Sequence, residues 1–444
     1  MHFPMKSGAA LLALAISPVV EANDNGLALT PPQGWRSWNL YGSDVSQTLI
    51  QSIMDGMVKP FAPTLESNGA AVSLCDLGYC DVGLDDNWQA CGSPDAAPGM
   101  HYHDKSGNPL VNLKTFPDFK QMTDHAHGLN LTSGWYGNNC ICRDGCTSEE
   151  ECDMQIKMDV AALTKYNFDS WKLDGCGNEK DLVDFNKYIT AAGKPIMVEN
   201  CHWGSVAPAT PNRTLPPAEG CPWNFYRSSG DVRASYASIL KNLGTVQPLR
   251  TSNLSYPGCW AYPDMLQVGC AHGPGGASDP GLSDAETRTH FGAWCIVSSP
   301  LTLSHDVNNA TIMAKIWPVI ANTEALAVNQ AYDGDSGGVY HTSTETVELT
   351  DAFIEANVSG EEARVAVAAS QFLSKPLGGG KVAVLLMNAG DATATLESEF
   401  STIPGVTCTS CDVRDIWAHK DLGTMDGKVS VSVESHDAAF LVIG

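Results

Sequence analysis

Two aspartates in this sequence have neighbours that could turn a carboxyl group into a catalyst. Asp174 lies in the run Trp171-Lys172-Leu173-Asp174-Gly175-Cys176, which closes a short strand-like stretch. Because a strand alternates its faces, Lys172 and Asp174 point the same way and Leu173 points opposite. An ammonium on the same face as a carboxylate lowers its pKa and keeps it ionised, as a covalent nucleophile requires. Taken alone, such a pair is also what a solvated strand end looks like. Asp231, in Arg227-Ser228-Ser229-Gly230-Asp231-Val232-Arg233, has two readings. It could N-cap a helix beginning at Arg233, or cycle between acid and base with Arg227 tuning its charge.

The elements that must position these groups are legible as alternating patterns. Strands are expected at Tyr79–Leu84, Leu129–Tyr136, Ser170–Leu173 and Pro195–Glu199, with helices near Leu49–Leu65, Asp118–His127, Glu149–Tyr166 and Glu179–Ala191. Repeated βα units imply a parallel sheet, and the length suits a closed (β/α)8 TIM barrel over residues 23–330. No Gly-x-Gly-x-x-Gly follows the first strand, so a dinucleotide-binding open sheet has little support. Asp85-Asp86, Tyr136, Asp174 and Glu199 each fall at the C-terminal end of an expected strand, the face where barrel enzymes build their sites. From residue 331 to 444 the helical period gives way to short alternating runs at Lys381–Met387, Ala392–Leu396, Lys428–Val433 and Ala438–Ile443. Turn signals separate them, which reads as a C-terminal antiparallel β-sandwich.

Composition narrows the function classes. The chain has 444 residues, is 43% apolar and carries a formal charge of −24 with only 26 basic residues. Nucleic acid and anionic membrane both require a basic face, so neither is expected as a partner. Lys6 followed by the apolar run Ala9–Val20 and a small-residue region near Ala22 reads as a signal peptide over residues 1–22. Export also suits the fifteen cysteines, which are then more readily disulfides than metal ligands. The odd count leaves at least one thiol free, and Cys295 within an apolar run fits a buried one. Sequons stand at Asn130, Asn212, Asn253, Asn309 and Asn357. The expected destination is secretion or a lysosomal or vacuolar compartment. His101-Tyr102-His103 and His125-Ala126-His127 have metal-like spacing but no carboxylate evidently placed with them, so no metal and no cofactor is expected.

The chain resembles glycoside hydrolase family 27, the α-galactosidases and α-N-acetylgalactosaminidases. Matching segments run in order across nearly the whole mature chain: Gly34-Trp35-Arg36-Ser37-Trp38-Asn39, Gly83-Leu84-Asp85-Asp86-Asn87-Trp88, Trp171 to Cys176, Cys201-His202-Trp203-Gly204, Arg227 to Asp231, Pro257-Gly258-Cys259-Trp260 leading to Pro263-Asp264-Met265-Leu266, Ser299-Pro300-Leu301-Thr302, and Val413 to Gly423. The resemblance implies a retaining exo-glycosidase acting on terminal α-linked galactose. In it Asp174 is the nucleophile and Asp231 the acid/base, with carboxyls about 5 Å apart. It places Asp85 and Asp86 on the 4- and 6-hydroxyls and Trp38 against the sugar face. Tyr136, Lys172, Arg227 and Asp264 become other polar walls. It also implies a disulfide from Cys176 to Cys142 or Cys140, and another from Cys201 to Cys221. Members often form homodimers.

Three departures from the family pattern bear on specificity. His202 replaces the Glu common in α-galactosidases and the Ser of N-acetylgalactosaminidases, and its bulk should hinder an N-acetyl group. Asn87 replaces a common cysteine, so that disulfide is missing or displaced to Cys91. Tyr262 replaces an aspartate, which suggests altered outer subsites. Within the family, α-N-acetylgalactosaminidase and β-L-arabinopyranosidase activities stay open. A binding protein without catalysis is the reading from another class, and a lectin would need neither Asp174 nor Asp231.

Overall fold

A computed structural model describes residues 25–177, 181–205, 221–274, 281–351 and 363–444. The segment 1–22 and the sequons at Asn212 and Asn357 lie outside these residues; Asn130, Asn253 and Asn309 are exposed. Among the described residues no helix is long and apolar enough to cross a membrane.

Eight short strands form the first sheet: β1 (Gln33–Arg36), β2 (Asp81–Gly83), β3 (Thr132–Gly137), β4 (Ser170–Asp174), β5 (Met197–Cys201), β6 (Phe225–Arg227), β7 (Trp260–Tyr262) and β8 (Leu301–Leu303). Their order is β8-β1-β2-β3-β4-β5-β6-β7, and every pairing is parallel. Leu266 N–H donates to the Thr302 carbonyl at 2.9 Å, joining the segment after β7 to β8. This is the expected TIM barrel.

Helices between the strands begin where a side chain can satisfy the first free N–H groups. Ser46 caps α1 (Gln47–Met57), Asp118 caps α2 (Phe119–Gly128), Ser148 caps α3 (Glu149–Tyr166), Asp181 caps α4 (Leu182–Ala192) and Ser235 caps α5 (Tyr236–Gly244). Ser283 and Glu286 form a reciprocal capping box on α6 (Asp284–Ile296). The helix expected at Leu49–Leu65 stops at Met57, because Pro60 disfavours helical backbone at the residue before it. The strand expected from Leu129 starts at Thr132, since Leu129 caps α2 and Asn130 turns the chain at φ 58°. Asp231 caps nothing: α5 starts later, at Tyr236, under Ser235.

The C-terminal part is antiparallel. Its main sheet runs in the order Gly338–Thr342, Ser370–Gly378, Lys381–Asn388, Ala438–Ile443, Ser410–Asp415, Lys420–Asp426. A ribbon of Ala394–Glu399 and Lys428–Val433 packs over it. Alternation divides the strand Lys381–Asn388 between two cores. Val382, Val384 and Leu386 face the ribbon, while Ala383, Leu385 and Met387 join the barrel core. Gly292 of α6 makes this junction close, since a Cβ there would lie 2.9 Å from Leu385 Cδ1 and 3.2 Å from Trp417 Cζ2. Gly292→Val should therefore destabilise the protein by about 1–3 kcal/mol through overpacking, read as a lower urea midpoint at unchanged m-value.

Candidate active site

The C-terminal mouth of the barrel gathers a set of charges whose positions follow from strand parity. On β4, Trp171 and Leu173 pack outward into the apolar core, with Trp171 edge-on to Phe185 of α4. Ser170, Lys172 and Asp174 consequently face the barrel axis. Lys172 Nζ lies 2.8 Å from Asp85 Oδ2, both buried. Burial opposes the ammonium, but Asp85 together with Cys201, Asp174 and Glu199 outweighs it and holds the Lys172 pKa well above its ordinary value. The cation expected to serve Asp174 is thus bonded to Asp85, which sits two residues beyond β2.

Asp174 is only 6% exposed. Its Oδ1 accepts the Gly175 N–H at 2.8 Å and its Oδ2 accepts the Tyr136 hydroxyl at 2.8 Å. Burial pushes its pKa up, against the Lys172 charge and the Tyr136 bond, so the depressed value expected from sequence is not what the site produces. The Tyr136 hydroxyl also lies 3.2 Å from Asp86 Oδ2. The same oxygen accepts the N–H groups of Cys140 at 2.9 Å and Ile141 at 3.0 Å. Burial nonetheless pushes Asp86 up to about 6.

Across the mouth, one guanidinium nitrogen serves two carboxylates. Arg227 Nη2 is 2.9 Å from Asp264 Oδ2 and 3.1 Å from Asp231 Oδ1. Asp264 is buried and held by the N–H groups of Val232 and Met265, whereas the Asp231 side chain is 45% exposed. Burial pushes Asp264 up to about 6 despite Arg227. At Asp231 burial pushes the other way, but the Arg227, Lys172 and Arg233 charges and the Arg227 hydrogen bond together hold the carboxyl below its usual range.

The other expected site residues sit nearby. Trp38 is half-buried and packs against the cluster containing Tyr262 and Met265. His202 is buried, with Nδ1 2.8 Å from Asn200 Oδ1 and its Cδ2 close over Gly175. Tyr262 is fully buried and edge-on to Phe225, so that departure falls inside the barrel and not in an outer subsite. Glu199 was expected at a strand end. β5 runs on to Cys201, which leaves Glu199 inside the barrel beside Arg36 at 3.5 Å and in register with Lys172.

The disulfides decide between two expected partners and correct one expected pairing, Cys201–Cys221. Cys176 bonds to Cys140, one of its two expected partners; Cys142 bonds to Cys91, where the bond missing at Asn87 is displaced. Cys221 bonds to Cys259, and Cys201 is a buried free thiol with Cys270 and Cys295. Cys201 lies on the inward face of β5 beside Asp174 in register, with its Sγ 3.4 Å from Arg227 Nη1. Among the described residues the one metal-like cluster is Cys140, Asp174 and Cys176, and its two sulfurs are already joined to each other.

Sequence reasoning missed His103. Its Nδ1 is 2.8 Å from Asp144 and its Nε2 3.1 Å from Asp159, so this histidine has two carboxylate partners where none was expected. His127 likewise meets Asp169 at 2.7 Å and His125 meets Asp55 at 2.8 Å. Asp144 also accepts the N–H groups of His101, Tyr102 and His103. It thereby anchors the loop whose Cys140 and Ile141 N–H groups hold Asp86. Burial disfavours the His103 cation, but Asp159 and Asp144 raise it to about 10.

The chain is similar to known proteins over nearly its whole length. Residues 30–331 match the family model described as alpha galactosidase A, and residues 367–443 match the alpha galactosidase C-terminal beta sandwich domain. An α-galactosidase of Cyamopsis tetragonoloba is 26% identical over 433 residues, covering 95% of this chain and 87% of that one. The solved α-galactosidase I of Mortierella vinacea superposes with a TM-score of 0.68 at 24% identity, covering 95% of this chain and 98% of that one. A β-L-arabinopyranosidase of Geobacillus stearothermophilus has the same fold, with a TM-score of 0.69 at 17% identity, covering 94% and 97%.

A folded-state pKa raised above about 6.5 means His103 stabilises the fold fully below that pH and loses this contribution as pH rises toward 10. His103→Asn should cost about 3 kcal/mol at pH 6, the cost of breaking a buried ion pair. In urea unfolding, the gap between wild type and variant should narrow steadily from pH 6.5 to 9.5.

Proposed function

Since the chain belongs to glycoside hydrolase family 27 and is a glycosidase that hydrolyses α-galactosides, we propose that it works by double displacement, with Asp174 as nucleophile and Asp231 as acid/base. The observation that carries this reading is the asymmetry of the two carboxyls. Asp174 is buried and aimed by Gly175 N–H and Tyr136 O–H; Asp231 is half-open to the mouth, where a leaving group and a water must come and go.

In the first step Asp174 attacks the anomeric carbon, and Asp231 gives its proton to the departing oxygen. In the second, Asp231 takes a proton from water, which attacks the glycosyl-enzyme and frees Asp174. Asp85 and Asp86 accept the 4- and 6-hydroxyls. Both are fixed before substrate arrives, Asp85 by Lys172 and Asp86 by two backbone N–H groups and Tyr136. A sugar without matching hydroxyls leaves those buried oxygens unpaired, the kind of loss that gives strong discrimination. Trp38 packs on the apolar face of the ring. His202 lies over Gly175, next to the nucleophile, where its imidazole limits what the 2-position can carry and favours galactose over the acetamido sugar. The signal-like segment 1–22 and six disulfides support export.

Nitrophenyl glycosides test the sugar: the α-galactoside should be cleaved well ahead of the α-N-acetylgalactosaminide and the β-L-arabinopyranoside. Azide tests the roles. With α-galactosyl fluoride, Asp174→Gly should be inert until azide is added and then yield β-galactosyl azide. Asp231→Gly should lose about 10²–10⁴-fold on nitrophenyl substrates and yield α-galactosyl azide. The same anomer from both variants would overturn the assignment.

Beside Arg227, Asp264 keeps its proton up to about pH 6 while Asp231 is held low; the two carboxyls share Arg227 and titrate together, and the acid step needs the shared proton on Asp231. kcat/KM should therefore fall above about pH 6. Asp264→Asn, which leaves Arg227 to Asp231 alone, should move this limb to lower pH.

A further inference from the structure

Asp231 stands on chain that is neither helix nor strand: β6 ends at Arg227 and α5 begins at Tyr236. Its backbone is fixed by bonds made on either side of it. Asn242 Nδ2 donates to the Gly230 carbonyl at 2.9 Å, Arg233 N–H donates to Ser238 Oγ at 2.9 Å, and the Ser228 and Thr245 hydroxyls meet at 2.7 Å. Asp264 and Gln267 hold Val232. Asn242 and Ser238 belong to α5 and Thr245 is its C-cap, so this helix splints the segment that carries Asp231.

A helix of nine residues is marginal by itself and owes its stability to packing. Tyr236, buried at the N-terminus of α5, stacks on His436 of the sandwich, with ring centroids 4.5 Å apart and planes 15° from parallel. His436 sits at φ 58° in the turn between the strands Lys428–Val433 and Ala438–Ile443. Asn388 Nδ2 closes that turn by donating to the carbonyls of Val433 at 3.1 Å and Glu434 at 3.0 Å. Carboxylates on two elements aim the imidazole. Its Nδ1 lies 3.1 Å from Glu286 Oε1 of α6 and its Nε2 3.6 Å from Asp391 Oδ1 of the sandwich. The His436 carbonyl accepts the Thr289 hydroxyl at 2.8 Å, and the next residue, Asp437, accepts Arg288 Nε at 3.0 Å. These contacts lock the turn onto α6 and lay one face of the ring on Tyr236.

We propose that His436 is a positioning residue for Asp231, acting across the domain junction through Tyr236 and α5. The sandwich thereby takes part in the reaction from outside the barrel. This inference rests on the proposed assignment of Asp231 as acid/base. A proton donor works only within hydrogen-bond reach of the leaving oxygen, and a misplacement of about 1 Å can cost about a hundredfold. Asp231 is open to such misplacement, because its side chain is half-exposed and the Arg227 bonded to it is shared with Asp264. Packing alone would change how much enzyme is folded; positioning also changes which leaving groups it can expel.

The readout is the kcat/KM ratio of methyl α-galactoside, whose methoxide must be protonated as it leaves, to 2,4-dinitrophenyl α-galactoside, whose leaving group needs no acid. Asp231→Gly should lower this ratio by about 10²-fold or more; if it does not, the acid/base assignment fails and the proposal falls with it. His436→Asn removes the stacked ring at a φ that Asn tolerates, and should lower the ratio about tenfold. Tyr236→Leu, which removes the other ring, should do the same, whereas Tyr236→Phe, which keeps the stack, should hold the wild-type ratio. An unchanged ratio in folded His436→Asn would overturn the proposal, whether or not its urea midpoint falls. If that variant does not fold, Tyr236→Leu decides on the same terms.

Discussion

A charge taken out of water must be paired where it lies, and the interior of this barrel is arranged around that constraint. Three buried cations carry it. Arg36 lies beside Glu199, Lys172 is bonded to Asp85, and Arg227 divides one nitrogen between Asp264 and Asp231. Because the cations are tied to the scaffold, the carboxylates they hold are positioned before any sugar enters. Substrate binding then requires little rearrangement of charge, the condition under which fixed dipoles and ions act most strongly on a reaction. Two carboxylates have no cation bonded to them among the described residues: Asp86 is held by the Tyr136 hydroxyl and two backbone N–H groups, and Asp174 by the Tyr136 hydroxyl and one backbone N–H.

The loop from Asn138 to Cys146 shows how irregular chain is held to the same standard. It has no helix or strand of its own, yet it delivers two N–H groups to Asp86. Cys140–Cys176 fastens it to the chain just beyond Asp174, Cys91–Cys142 to the preceding βα loop, and Asp144 to the buried His103 cation. The two disulfides limit the loop's freedom in the unfolded as well as the folded chain, and the ion pair adds to them in the folded one. Together they let a loop act with the rigidity of a strand end.

Much of this was legible in the sequence because strand parity is a local rule. Alternation alone put Lys172 and Asp174 on one face, and it separated Leu385 from Val384 in the sandwich. Parity does not say which neighbour across a barrel an inward side chain will meet. Lys172 reaches from β4 to the end of β2 past the intervening strand, and only the assembled barrel reveals that its partner is Asp85 and not Asp174. Cysteine connectivity fails for the same reason: spacing gives candidates, but Cys201 faces inward with Asp174 while Cys221 lies against Cys259. The His103 triad joins segments 41 and 56 residues apart, with no periodic signal in any of them. Residue type alone does not give the partner either: His290 and His305 are equally buried and meet the Gln267 N–H and the Met313 sulfur instead of a carboxylate.

The division of labour between strands and loops also bears on specificity. Carboxylates held by buried cations cannot easily be moved without unpairing a charge, so Asp85 and Asp264 are constrained by stability itself. The turn after β5 is under no such constraint. His202 and Trp203 stand on it beside Gly175, close to Asp174. Substitutions there can alter what fits at the 2-position or beyond the scissile bond while leaving the charge network intact. That freedom is a physical reason why a residue differing from the common pattern appears at position 202, while the positions of Asp85, Asp86, Lys172, Asp174, Arg227 and Asp264 keep theirs.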